Sequence, residues 1–100
     1  MKSIHIISEG RVQGVGYRMF VLNLARRNQV AGWVRNLPDG RVESVIEGDD
    51  ERVDAMIEGM YARNSAKIRV DNMILTPRPP EALAGFEIRL VRRFIHSQGE

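Results

Sequence analysis

The 100-residue chain has no cysteine. That excludes a disulfide framework and a thiolate metal site. Only two histidines occur, His5 and His96, far apart in sequence, so a histidine-built metal site is not expected and His5 reads as a strand residue. No apolar run approaches the roughly 20 residues that span a bilayer. The start, Met1-Lys2-Ser3-Ile4-His5, lacks the long apolar segment of a secretory signal. Aromatic residues make up 6% of the chain, and the segments 4–8 and 41–47 contain none. A single-strand RNA reader of small α/β type needs aromatics on such strands, so nucleic acid is not expected as a partner. Charge of either sign is also nearly balanced, with 15 basic and 13 acidic residues giving a net +2. Any preference for anions must then be local. By length the chain is one domain with one modest core, expected to be monomeric and cytoplasmic, with no membrane association.

What the chain does have is glycine in one informative place. Gly10-Arg11-Val12-Gln13-Gly14-Val15-Gly16-Tyr17-Arg18 follows the apolar run Ile4 to Ile7 and leads into a helix-like segment from Met19. Glycines at this density permit a tight turn with left-handed backbone angles. Such a turn can aim successive N–H groups at one point and form a nest for an anion. The start of the next helix adds unpaired N–H groups and the positive end of a dipole. Arg18 ends the stretch with a planar fork of donors suited to two phosphate oxygens. The stretch reads as a phosphate cradle. Taken as a glycine pattern alone, a plain strand-to-helix turn explains it equally well. It is neither a nucleotide P-loop, which needs Lys-Ser/Thr after the glycines, nor part of a dinucleotide domain, for which the chain is too short.

The remaining elements follow from periodicity. Ser3–Ser8 reads as a strand. Met19–Gln29 carries an apolar stripe through Phe20, Val21, Leu24 and Ala25, with Arg26 and Arg27 near the end where cations offset the dipole. Tyr17 and Phe20 read as core. Val30–Leu37 and Arg41–Glu47 form an expected hairpin around the turn Leu37-Pro38-Asp39-Gly40. Asp49 is the expected capping residue of a second helix, whose stripe runs Val53, Met56, Ile57, Met60 and Tyr61. Lys67–Leu75 reads as a strand, Pro77–Pro80 as a loop and Phe86–Val91 as a last strand. This order, βαββαβ with an extra strand, predicts a ferredoxin-like α/β (α+β) two-layer sandwich with two helices on one face of a mostly antiparallel sheet. A right-handed crossover makes the first two strands parallel, with another strand between them and axes about 10 Å apart. Their ends then carry the cradle and Asn36 on either side of a gap. Taken alone, Asn36 also reads as the first residue of its turn.

Two blocks of this sequence resemble the signatures of the acylphosphatase family. The first is Gly10 to Arg18, with its Val12-Gln13-Gly14-Val15 core and aromatic–Arg end. The second is Gly32-Trp33-Val34-Arg35-Asn36, followed by Gly40, Val42 and Gly48. The resemblance implies the same ferredoxin-like fold and a metal-independent hydrolysis of small acyl phosphates to carboxylate and inorganic phosphate, with no cofactor. It also implies roles. Arg18 binds the phosphate, the amides of Val12, Gln13, Gly14, Val15, Gly16, Tyr17 and Arg18 surround it, and Asn36 orients the attacking water. Inorganic phosphate is then both product and competitive inhibitor.

The chain departs from the family in two places. Leu37 stands where many members have a threonine after the asparagine, and Asn64-Ser65 where many have a Gly-Pro pair. The first removes a hydroxyl that would support the asparagine. The second lies far from the cradle in sequence. The family-like domain is expected over 1–92, with 93–100 a tail. The competing reading is a non-catalytic module of the same fold that binds phosphate or acyl phosphate.

Overall fold

The computed structural model describes residues 1–90. Ile4 and Ile6 point to one side of β1 (Lys2–Arg11) and are buried, while His5 and Ile7 face the other, as the two-residue period of a strand requires. After the cradle loop, α1 (Tyr17–Asn28) runs back across the sheet, followed by β2 (Ala31–Asn36) and β3 (Val42–Gly48). The second helix, α2 (Asp50–Met60), leads to β4 (Arg69–Arg78) and β5 (Phe86–Arg89). The sheet order is β4-β1-β3-β2-β5. β1 and β2 are each antiparallel to β3, and so parallel to one another; β5 adds to β2 in parallel. This is the expected ferredoxin-like α+β sandwich with one extra strand. Val21, Leu24 and Ala25 of α1 and Val53, Met56 and Met60 of α2 close over Ile4, Ile6, Val34, Val42 and Ile46 of the sheet. Among the described residues no helix is long and apolar enough to cross a membrane.

Several boundaries differ from the sequence reading, each for a physical reason. The helix begins at Tyr17, not Met19, because burial of the tyrosine ring outweighs its modest helix propensity. β4 continues through Pro77, which was expected in a loop; it pairs opposite Ile4. β4 lies at the sheet edge, where a residue without an N–H is tolerated in a strand. Asp49 occupies the N-cap position of α2 but makes no side-chain cap; its carboxylate lies 3.7 Å from Arg52 Nε. The dipole is met instead by Asp50 and Glu51 in the first turn. β5 ends at Arg89, and Val91 and the expected tail fall outside the described residues.

Register fixes the site. Val42 pairs with Asn36 on one side and with Ser8 on the other. Asn36 thus lies two strand spacings, about 10 Å, from the end of β1 that feeds the cradle.

Candidate active site

The cradle is a bend between β1 and α1 in which Gly14 and Gly16 take φ of 75° and 81°. Gly16, at φ 81° and ψ 17°, is the N-cap of α1. A side chain in this left-handed region would be strained, and with glycine the helix starts without a capping side chain. The consequence is a row of free donors. Among the described residues, no backbone N–H from Gln13 to Met19 has a protein acceptor; the first to find one is Phe20, bonded to the Gly16 carbonyl at 3.0 Å. These donors sit at the positive end of the α1 dipole.

Val12, Gly14, Gly16, Tyr17, Arg18, Met19, Asn36 and Ile88 line one cavity of about 230 Å³. Arg18 is its only charged lining residue and, among the described residues, forms no ion pair. The residue is half-buried, and its guanidinium is free to meet an anion. Opposite it in sequence, at the end of β2, the side-chain oxygen Oδ1 of Asn36 is buried and has no hydrogen-bond partner. An amide oxygen withdrawn from water without a partner is costly. Such a group in a cavity beside a free arginine is suited to accept a hydrogen bond from a bound molecule.

The sequence-derived set is therefore partly assembled around one space. Val12, Gly14, Gly16, Tyr17, Arg18 and Asn36 line the cavity together, whereas Gln13 and Val15 do not. Val15 packs against the core, and the Gln13 side chain reaches to the β2–β3 turn, donating from Nε2 to the carbonyls of Leu37 and Arg41, each at 2.8 Å. Tyr17 faces the core as expected, with 1% of its surface exposed. Two lining residues, Met19 and Ile88, were not anticipated. Ile88 arrives because β5 pairs with β2, placing it beside Val34, and nothing local in the sequence signals that pairing. On the opposite face of the sheet, Trp33 is covered by the guanidinium groups of Arg35 and Arg89, 5.2 and 4.7 Å from its ring centre. Its ring is occupied by the protein's own cations.

A sequence profile of the acylphosphatase family matches residues 4–88. The chain belongs to the acylphosphatase family. An acylphosphatase of Thermococcus kodakarensis is 49% identical over 84 residues, covering 84% of this chain and 91% of that protein. One of Natronomonas pharaonis is 47% identical over 85 residues, covering 85% and 91%. The crystal structure of acylphosphatase from Bacillus subtilis superposes with a TM-score of 0.83 at 38% identity, over 89% of this chain and 99% of that one. The matched region holds both blocks that carried the resemblance, and family membership brings the enzyme class, acylphosphatase, a hydrolase. The acylphosphatase fold accordingly covers the cradle, Asn36 and every strand that positions them.

Proposed function

We propose that this chain hydrolyses small acyl phosphates by direct attack of water on phosphorus, with Arg18 and the cradle amides holding the phosphoryl group and Asn36 orienting the water. The observation that carries this reading is the buried, unpartnered Oδ1 of Asn36 lining the same cavity as Arg18 and the free N–H groups. Water donating one hydrogen to Oδ1 keeps its lone pair directed at phosphorus. The P–O bond to the acyl group breaks as the new P–O bond forms. Carboxylate leaves, and both hydrogens of the water go with the phosphate product, which then ionises in solvent. The transition state spreads negative charge over the phosphoryl oxygens. Arg18 and preorganised N–H donors stabilise that charge as an oxyanion hole does. Carboxylate is a good leaving group, so no general acid is required, and the scheme needs neither metal nor cofactor. Substrate and inorganic phosphate are the expected small-molecule partners, and the protein is taken to act as a cytoplasmic monomer.

The test uses purified protein treated with a chelator. It should release carboxylate and phosphate from a small acyl phosphate at an unchanged rate, act far more slowly on an alkyl phosphate monoester, and be competitively inhibited by inorganic phosphate. Phosphate binding without cleavage of any acyl phosphate would mark a binding module. Activity only with added metal would overturn the role given to Asn36.

A further inference from the structure

Phosphate and water are held, in the reading above, by two separate elements: the loop after β1 and the end of β2. Direct hydrolysis requires them in register, and a misplacement of about 1 Å can cost on the order of a hundredfold in rate. One side chain joins the two elements. Gln13 sits between cavity-lining Val12 and Gly14, yet its amide turns out of the cavity and spends both of its protons on the hairpin. Nε2 donates to Leu37 O and to Arg41 O, both at 2.8 Å. A primary amide has two N–H donors and no more, so its donor capacity is fully used.

The acceptors lie where the hairpin closes. Arg41 O also accepts the Leu37 N–H at 2.8 Å, and Leu37 O accepts the Gly40 N–H at 3.2 Å. Leu37 follows Asn36 directly. The two bonds therefore fasten the loop to the carbonyls on both arms of the hairpin, one residue from the proposed water ligand. We propose that the side chain of Gln13 is a positioning group for the hydrolysis: its side-chain amide sets the distance between the phosphate cradle and Asn36, without itself touching substrate. This inference rests on the reading of Arg18 and Asn36 given above. It also bears on Leu37: at a position where a hydroxyl is absent, the backbone of the same residue is held by Gln13.

Gln13→Met keeps the length of the side chain and removes both donors. Turnover of an acyl phosphate should fall about ten- to a hundredfold, while the inhibition constant of inorganic phosphate, which reads the cradle and Arg18 alone, should stay within about threefold of wild type. In an Asn36→Ala background the same substitution should cost less than about twofold, because there is no longer a water ligand to place. Gln13→Glu, a second variant should the methionine form fold poorly, presents an ionised carboxylate to two carbonyls. Its activity relative to wild type should rise as pH falls and the protonated carboxyl regains one donor. Wild-type turnover in Gln13→Met, an equal loss with and without Asn36, or a Gln13→Glu ratio flat with pH would overturn the proposal. A wild type that cleaves no acyl phosphate removes the parent reading together with this one, whereas a cleaving wild type matched by Gln13→Met overturns this one alone.

Discussion

The hydroxyl of Tyr17, the first residue of α1, donates a hydrogen bond of 2.8 Å to the carbonyl of Met60, the last residue of α2. That carbonyl is one of the orphan acceptors at a helix end, and Tyr17 satisfies it inside the core. With its proton committed there, the phenol oxygen accepts from Ser8 Oγ at 3.2 Å. Arg18 is the next residue in the chain, so the same anchor fixes where its side chain leaves the helix.

Tyr17→Phe should leave the Met60 carbonyl buried and unpaired, at a cost of about 1–3 kcal/mol, read by denaturant unfolding at neutral pH. Burial pushes the phenol up from 10.0 to about 12, with the Ser8 bond acting weakly in the other direction. A raised value in the folded state means that its contribution is complete below pH 10 and is lost as pH climbs through 12. Wild type should therefore lose stability more steeply than Tyr17→Phe across that window. Parallel curves would remove Tyr17 from the alkaline transition.

Glu47 makes an acidic counterpart. It is 2% exposed, and its two carboxylate oxygens accept the backbone N–H groups of Glu81 (2.9 Å) and Leu83 (2.8 Å). Burial acts to raise its pKa, but the backbone donors prevail and hold it below the ordinary value of 4.5. This bond fastens the segment that leads into β5, and with it Ile88. A depressed carboxylate stabilises above its ordinary pKa and loses that contribution as pH falls below 4.5 through the folded value. Glu47→Gln should cost about 1.5–3 kcal/mol at pH 7, and the gap to wild type should narrow as the pH is lowered below 4.5. A gap that does not depend on pH would contradict the ionised contact.

Gly32 stands in β2 at φ 141°, and a Cβ there would collide with the backbone carbonyl of Val45 on β3. The atoms it would meet, in Val45 and Ile46, are all backbone, so no flexible side chain can yield. Gly32→Ala should destabilise by at least about 3 kcal/mol and, by displacing the strand that carries Asn36, reduce turnover in whatever fraction remains folded. Equilibrium unfolding of a variant within about 0.5 kcal/mol of wild type would show that the strand pair can separate without cost.

The order of elements was legible because it depends on local signals: the apolar stripe of Val53, Met56 and Met60, the Pro38-Asp39-Gly40 turn, and the alternation through Val42, Ser44 and Ile46. So was the glycine-rich bend that lines one cavity with Arg18, since its residues lie close together in sequence. The long-range contacts around it were not. Gln13 reaches acceptors 24 and 28 residues away, and Glu47 finds its donors 34 and 36 residues on. Neither separation has a period or a motif. Pro77 misled for a related reason. Its strand is allowed by a position at the sheet edge, which is a property of the sheet and not of the dipeptides around it. Gly32 was visible as part of a signature, but the carbonyl that demands it belongs to another strand.

The division of labour proposed for Arg18 and Asn36 is tested most directly by measuring turnover and phosphate inhibition together in two variants of confirmed thermal stability. Arg18→Ala should lose at least about a hundredfold in turnover and lose phosphate inhibition with it, and Arg18→Lys should recover little, since an ammonium cannot reproduce the fork. Asn36→Ala should lose turnover comparably while phosphate still inhibits near its wild-type constant. Near-normal hydrolysis by Arg18→Ala, or equal loss of phosphate binding in Asn36→Ala, would contradict the account.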